Sequence, residues 1–147
     1  MRDSSLHGTN VAVRLKSART RGGGIEDVAY HNLTGTANAA VQISLQREPA
    51  FPRPRRLSRH VARYEHDEPR TNVSATPVIR GVSVSALDVD VSRGPEKEDA
   101  FLACLGLDDS PITGIAFDDV RVAGSDSATC AYCSGTAAGA DPAPCFA

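Results

Sequence analysis

The chain has no tryptophan, and Phe and Tyr together supply only 5% of its 147 residues. A core of large rings is therefore excluded, and any interior must come from Val, Ile, Leu and Ala, which favours strands over an aromatic-filled pocket. An excess of charge of one sign is also missing. With 16 Lys+Arg against 18 Asp+Glu the formal net charge is −2, so the strong basic field that non-specific nucleic-acid binding relies on is absent and no nucleic-acid partner is expected. No apolar run approaches the ~18 residues of a membrane span, so no membrane partner is expected either. The first twenty residues hold a short apolar stretch broken by Arg14, with no small-residue cleavage pattern after it, and no signal peptide is expected in this chain. The length suits one domain rather than two independent cores.

Four cysteines are present, and Cys130, Cys133 and Cys145 crowd into the tail beside Gly and Pro, with Cys104 upstream. An even set in such a setting reads as disulfides, against two alternatives: reduced buried thiols, or zinc at Cys130-x-x-Cys133. The zinc reading lacks a second close pair of ligands, because His7, His31, His60 and His66 all lie far upstream. No metal or cofactor is expected. Two acceptor triplets for N-glycosylation, Asn32-Leu33-Thr34 and Asn72-Val73-Ser74, fit an extracytoplasmic history. A secreted parent protein would reconcile these features with the missing leader.

The chain repeats itself. Gly24 to Leu33, Val78 to Leu87 and Pro111 to Val120 share one pattern: Ile25, Ile79 and Ile112 align, then Val28, Val82 and Ile115, then Tyr30, Val84 and Phe117, then Leu33, Leu87 and Val120. Alternating apolar positions predict strands with one buried face, and the extra apolar residue after the polar step predicts a bend. A second repeat interleaves: Leu6-His7-Gly8-Thr9-Asn10 leads into Val11 to Lys16 as Leu33-Thr34-Gly35-Thr36-Ala37-Asn38 leads into Ala39 to Ser44. Arg14 then falls on Gln42, a step of 28 residues, while Val28 to Val82 is a step of 54 and Val82 to Ile115 one of 33. Units of this size with short strands and no helical pattern predict stacked coils of a right-handed parallel β-helix, with inward Val, Ile and Leu in continuous columns.

The longest step contains a Pro/Arg-rich stretch at about 47–75, with Pro49, Pro52, Pro54 and Pro69 among seven arginines. Proline cannot donate to a ladder, so a long loop is predicted there, either a solvated insertion or a basic flap over a groove for an acidic polymer. The C-terminal third is acidic, and its carboxylates are expected on exposed loops and outer faces.

These residues carry a resemblance. Val13-Arg14-Leu15-Lys16-Ser17 followed by Arg21-Gly22-Gly23-Gly24-Ile25-Glu26-Asp27-Val28 resembles the Arg-Ile-Lys segment and Gly-rich turn of the polygalacturonases, the pectin-cutting family twenty-eight of the glycoside hydrolases. Thr76 to Val82 is similar to that family's next coil, Gly106 to Val120 to the one after, and Cys130 to Gly135 with Pro142-Ala143-Pro144-Cys145 to the closing segment of plant-type members. The order is that of the family over nearly the whole chain. The resemblance implies an all-β, right-handed single-stranded parallel β-helix of the pectin-lyase-like solenoid type. Residues 1–147 would form its C-terminal coils, with a Cys-containing tail at about 123–147. It also implies a secreted or cell-wall hydrolase of α-1,4-galacturonan, monomeric as the full-length parent, with acidic polysaccharide as its partner.

The family inverts at galacturonate using aspartates of an Asn-Thr-Asp segment and an Asp-Asp pair, with a His in Gly-His-Gly, all upstream of Arg-Ile-Lys. Such chemistry needs one carboxylic acid on the leaving oxygen and others on an attacking water, ~6.5–9.5 Å apart. Thirteen residues precede Arg14; Asp3 supplies no pair, and His7-Gly8 sits in the turn before the strand. No catalytic residue is therefore assigned, and the chain is expected to be a fragment lacking the catalytic aspartates. Substrate binding falls to Arg14 and Lys16, which alternate with Val13 and Leu15 and so share an outer face where a guanidinium and an ammonium can grip a carboxylate. The bland alternative is two charges on a solvated strand. The family's cleft Tyr has no counterpart in Leu45-Gln46-Arg47-Glu48-Pro49, and Tyr64 does not align with it.

By the same resemblance Cys130 pairs with Cys145, a loop stabilised by roughly 3 kcal/mol, leaving Cys104 and Cys133 bonded to each other or buried singly. Other function classes remain open: a non-catalytic β-helix that binds acidic glycans, or a structural or adhesive one with no glycan site. A pectate lyase would need a calcium-binding acidic cluster beside Arg14, and none is evident. An uncapped first coil would leave the isolated chain marginally stable or self-associating.

Overall fold

A computed structural model of the chain describes residues 1–18, 22–45, 76–91 and 100–146. The alternating segments are strands: β1 (Arg2–Lys16), β2 (Gly24–Ser44), β3 (Val78–Asp90), β4 (Ala100–Leu105), β5 (Ile112–Ala123), β6 (Ala128–Ala131) and β7 (Cys133–Asp141). Every strand pair is parallel. Together they make one seven-stranded sheet in the order β6-β4-β2-β3-β5-β7, with β1 added on β2, and the sheet curves until it nearly closes into a barrel-like shape. No helix among the described residues is long and apolar enough to cross a membrane.

The register follows the repeats. Val28 pairs with Val82 and Val82 with Ile115; Tyr30, Val84 and Phe117 form the next column, and Leu33, Leu87 and Val120 the one after. Arg14 pairs with Gln42. Ile79, Val82, Leu87, Ile112, Ile115 and Val120 are all buried to 1% exposure or less, each contributing about 1.5–3 kcal/mol by leaving water. β2 works twice: Gly24–Thr36 pairs with β3, and Ala39–Ser44 pairs with β4. Its run Ala37 to Leu45 is buried on both faces, as parallel strands covered on two sides are.

The bends that the broken alternation predicts lie in two columns of left-handed residues. One runs Asp27 (φ 54°), Gly81 (64°), Gly114 (67°), and the other Asp3 (51°), Asn32 (54°), Ala86 (50°), Asp119 (53°), Gly139 (64°). Each column is in register from strand to strand, so the corners stack. Asn and Asp tolerate this conformation because their short polar side chains bond locally, and Asn32 Nδ2 donates to Asp3 Oδ1 at 2.8 Å along its column.

One expectation needs correction. On β1 Ser4 lies against Leu33 and Leu6 against Gly35, with a register shift between Leu6 and Thr9. The cause is local. Gly8 turns left-handed (φ 60°), its N–H donates to Thr36 Oγ1 at 2.8 Å, and a Cβ on Gly35 would collide with the Leu6 carbonyl. His7-Gly8 is thus a bulge inside β1 rather than a turn before it. The Cys-containing tail at about 123–147 holds β6 and β7. The Pro/Arg-rich stretch lies outside the described residues.

One end of the core is closed covalently. Cys104 bonds Cys133 (Cα–Cα 6.3 Å) and Cys130 bonds Cys145 (5.7 Å). Next to Cys145, Phe146 turns inward to 6% exposure and meets the Phe117 ring edge-on at 5.1 Å; Phe101 meets Phe117 at 6.4 Å from the other side. At the far end, β1 pairs with β2 and with no other described strand.

Two stability changes follow, both read from urea unfolding midpoints. Ala86→Gly relieves the one left-handed alanine of the second corner column and raises stability by about 1 kcal/mol. Phe146→Ala empties the aromatic contact on Phe117 and lowers it by about 3 kcal/mol.

Candidate functional site

The pleat of β1 decides where its charges go. Val13 and Leu15 are buried to 0% and 9%, so Arg14 and Lys16 fall on the opposite face, and both are exposed. Their register partners on β2 are Gln42 and Ser44, and the row continues to Ala103 and Leu105 on β4. The Cα atoms of Arg14 and Lys16, two residues apart on a parallel strand, lie ~6.6 Å apart, and since Gln42 and Ser44 one strand away are buried, the exposed polar groups of this row are those of β1. Such a face can hold a carboxylate-bearing ligand by charge-assisted hydrogen bonds. The strand runs on past Lys16: Ser17 N–H donates to Ser44 O at 3.0 Å. After it the glycine turn contains Gly22 and Gly23 in left-handed conformations (φ 61° and 78°), and the Gly23 carbonyl accepts from Val78 N–H at 3.0 Å.

The other singled-out residues scatter. Asn32 is exposed at a corner of β2, its side-chain amide donated to Asp3; Asn72 and Tyr64 lie outside the described residues, as do Gln46 to Pro49. All four cysteines are in disulfides and none is free, which replaces both the zinc and the reduced-thiol readings of Cys130-x-x-Cys133. Cys130–Cys145 is the pair the resemblance implies, and Cys104 and Cys133 are joined rather than single. Two disulfides are consistent with an extracellular protein. Among the described residues, no group of three or more His, Cys, Asp or Glu could hold a metal ion.

The acidic residues of the C-terminal third that are described sit mostly on exposed positions, including Asp88, Asp118, Asp119 and Asp126. Their two Asp-Asp pairs act locally. Asp119 takes Arg121 at 2.9 Å, and Asp108 Oδ1 accepts the Asp109 N–H at 3.0 Å. On the outer face of β2 and β3, Glu26 and Arg80 meet at 2.7 Å, the hydrogen bond and charge of Glu26 holding the Arg80 guanidinium above its ordinary pKa.

One cluster escaped the sequence reading. His31 Nδ1 and Ser85 Oγ are 2.9 Å apart, and the register adds Arg2 beside His31 and Asp118 beside Ser85. The signal was present: the steps of 54 and 33 that align the apolar columns place His31, Ser85 and Asp118 in one column too, but attention to apolar residues passes over it. Comparison of the chain with protein-family models, curated proteins and solved structures gave no match in any of the three.

Tyr30, half-buried beneath this column, supplies a pH prediction. Burial pushes its phenol above the ordinary 10.0. The advantage of the neutral folded form is complete below the unfolded value and is lost as pH rises through the folded one, because the unfolded chain gives up its proton first. Tyr30→Phe removes that component: in urea titrations from about pH 8 to 11, the variant loses less stability than the parent above pH 10.

Proposed function

We propose that the chain is the C-terminal portion of a polygalacturonase-like right-handed parallel β-helix and that its work is to hold the galacturonate units of pectin against β1. The observation that carries this reading is the placement of Arg14 and Lys16, exposed side by side on one face between buried Val13 and Leu15. Strand columns that pair in parallel at steps of 28, 54 and 33 support the coil architecture. On this reading each turn stacks on the next, Arg14 and Lys16 belong to one turn, and Gln42 and Ser44 to the turn beside it.

The parent activity we propose is hydrolysis of α-1,4-galacturonan in the cell wall by a secreted glycoside hydrolase. Protonation of the leaving oxygen and activation of a water require a pair of carboxylates facing the bond. The 147 residues contain neither Asn-Thr-Asp nor Gly-His-Gly, Asp119 pairs with Arg121, and Asp108 accepts the Asp109 N–H. The contribution of these residues is then binding and orientation, with no catalytic residue assigned among them. The same placement favours a second reading, a non-catalytic β-helix that binds acidic glycans.

Binding separates these readings from a structural role. Calorimetric titration with oligogalacturonate should give an affinity that falls as salt rises, since exposed ion pairs are screened. Arg14→Ala and Lys16→Ala should each weaken it roughly tenfold or more, the loss expected for a hydrogen bond to a charged group. Affinity indifferent to both substitutions and to salt would sink the proposal. Release of reducing ends by the chain alone would overturn the assignment of binding without catalysis.

A further inference from the structure

The four sulfurs are not two independent staples. Cys104 on β4 and Cys130 on β6 are register partners, so their side chains leave the sheet on the same face from neighbouring strands. Yet they are bonded to other residues: Cys104 to Cys133, and Cys130 to Cys145. Cys104 is fully buried at 0%, Cys130 and Cys133 are half-buried, and Cys145 is exposed. Cys145 is thus the most exposed residue of the four, and its partner Cys130 is the register neighbour of buried Cys104.

We propose that Cys130 is the exchange residue of a thiol–disulfide relay whose substrate is a soluble dithiol. A thiolate of the dithiol attacks Sγ of Cys145, the most exposed of the four residues, the Cys130–Cys145 bond breaks, and Cys130 leaves as a thiolate. The second thiol of the reductant displaces Cys145, so the dithiol is oxidised to its own disulfide and two electrons and two protons pass to the protein. The Cys130 thiolate then attacks Cys104 Sγ. A Cys104–Cys130 bond forms, the Cys104–Cys133 bond breaks, and Cys133 leaves with the electron pair and takes up a proton. This second step changes no oxidation state.

The new bond suits the backbone. Neighbouring strands lie ~4.8 Å apart, inside the ~4.4–6.8 Å Cα range of disulfides, whereas β4 and β7, which Cys104–Cys133 joins, do not pair with each other. The outcome is a molecule still cross-linked at Cys104, with Cys133 and Cys145 as thiols and with the tail at 142–146, including the Phe146 plug, released from its covalent tie to β6.

The test is limiting dithiothreitol on the native protein, an acid quench, alkylation and peptide mapping by mass spectrometry. The relay is supported when the two-thiol intermediate carries its alkyl groups on Cys133 and Cys145 and retains a Cys104–Cys130 cross-link. Any other labelled pair, or passage from no thiols to four without a two-thiol intermediate, overturns it. Cys145→Ser gives an independent reading, because it leaves one thiol from the start. In that variant the label shifts from Cys130 to Cys133 if the exchange operates, and label confined to Cys130 refutes it.

Discussion

Parallel hydrogen bonding between consecutive strands ties each residue to a counterpart one strand away, and the chain is arranged so that the counterpart is of the same kind. In the inward columns apolar meets apolar, as in Val28, Val82 and Ile115 or Leu33, Leu87 and Val120, and left-handed corner meets left-handed corner. Because a slip of one residue would send every inward side chain to the wrong face, this register is held across the sheet apart from shifts between Leu6 and Thr9 and between Ile112 and Ile115. The core, the corners and the outward charges all depend on it. Arg14 and Lys16 are exposed because Val13 and Leu15 are inside, and His31 meets Ser85 because Tyr30 meets Val84.

The strands that end the sheet, β6 and β7, and the strand β1 that branches from β2 are held differently. At the β7 end a ring of chemistry closes the interior, with Phe146 on Phe117 and two disulfides knitting β4, β6, β7 and the tail. Each disulfide is worth about 3–4 kcal/mol in the chain-entropy account, a large share of a typical domain's ~5–15 kcal/mol. At the β1 end the apolar interior is lined by Leu6, Val13 and Leu15. The charged positions are therefore presented on β1, and the covalent reinforcement sits among β4, β6, β7 and the tail.

Much of this could be read from the amino acids because a repeat compares the chain with itself. Aligning Ile25 with Ile79 and Arg14 with Gln42 recovered pairings of the sheet, and the break in alternation marked the corners. Strand boundaries were harder. Gly8 reads as a turn residue, yet it lies inside a strand, as Gly35 does, and there the one makes a bulge and the other admits a neighbouring carbonyl. A glycine's reason is often the approach of a distant segment, which no local pattern records. The polar face was legible where charge alternated with apolar residues, at Arg14 and Lys16. It was missed at His31 and Ser85, whose partnership spans 54 residues and has no apolar signature.

The steps between stacked positions are 28, 54 and 33 residues, although the columns they connect are the same. Lengthening a connection costs little in closure entropy, about 0.6 kcal/mol for a doubling. The ladder does not register what happens between its rungs. A step that nearly doubles, from 28 to 54 residues, leaves the columns aligned, so distance along the chain and position in the sheet are independent quantities in this scaffold.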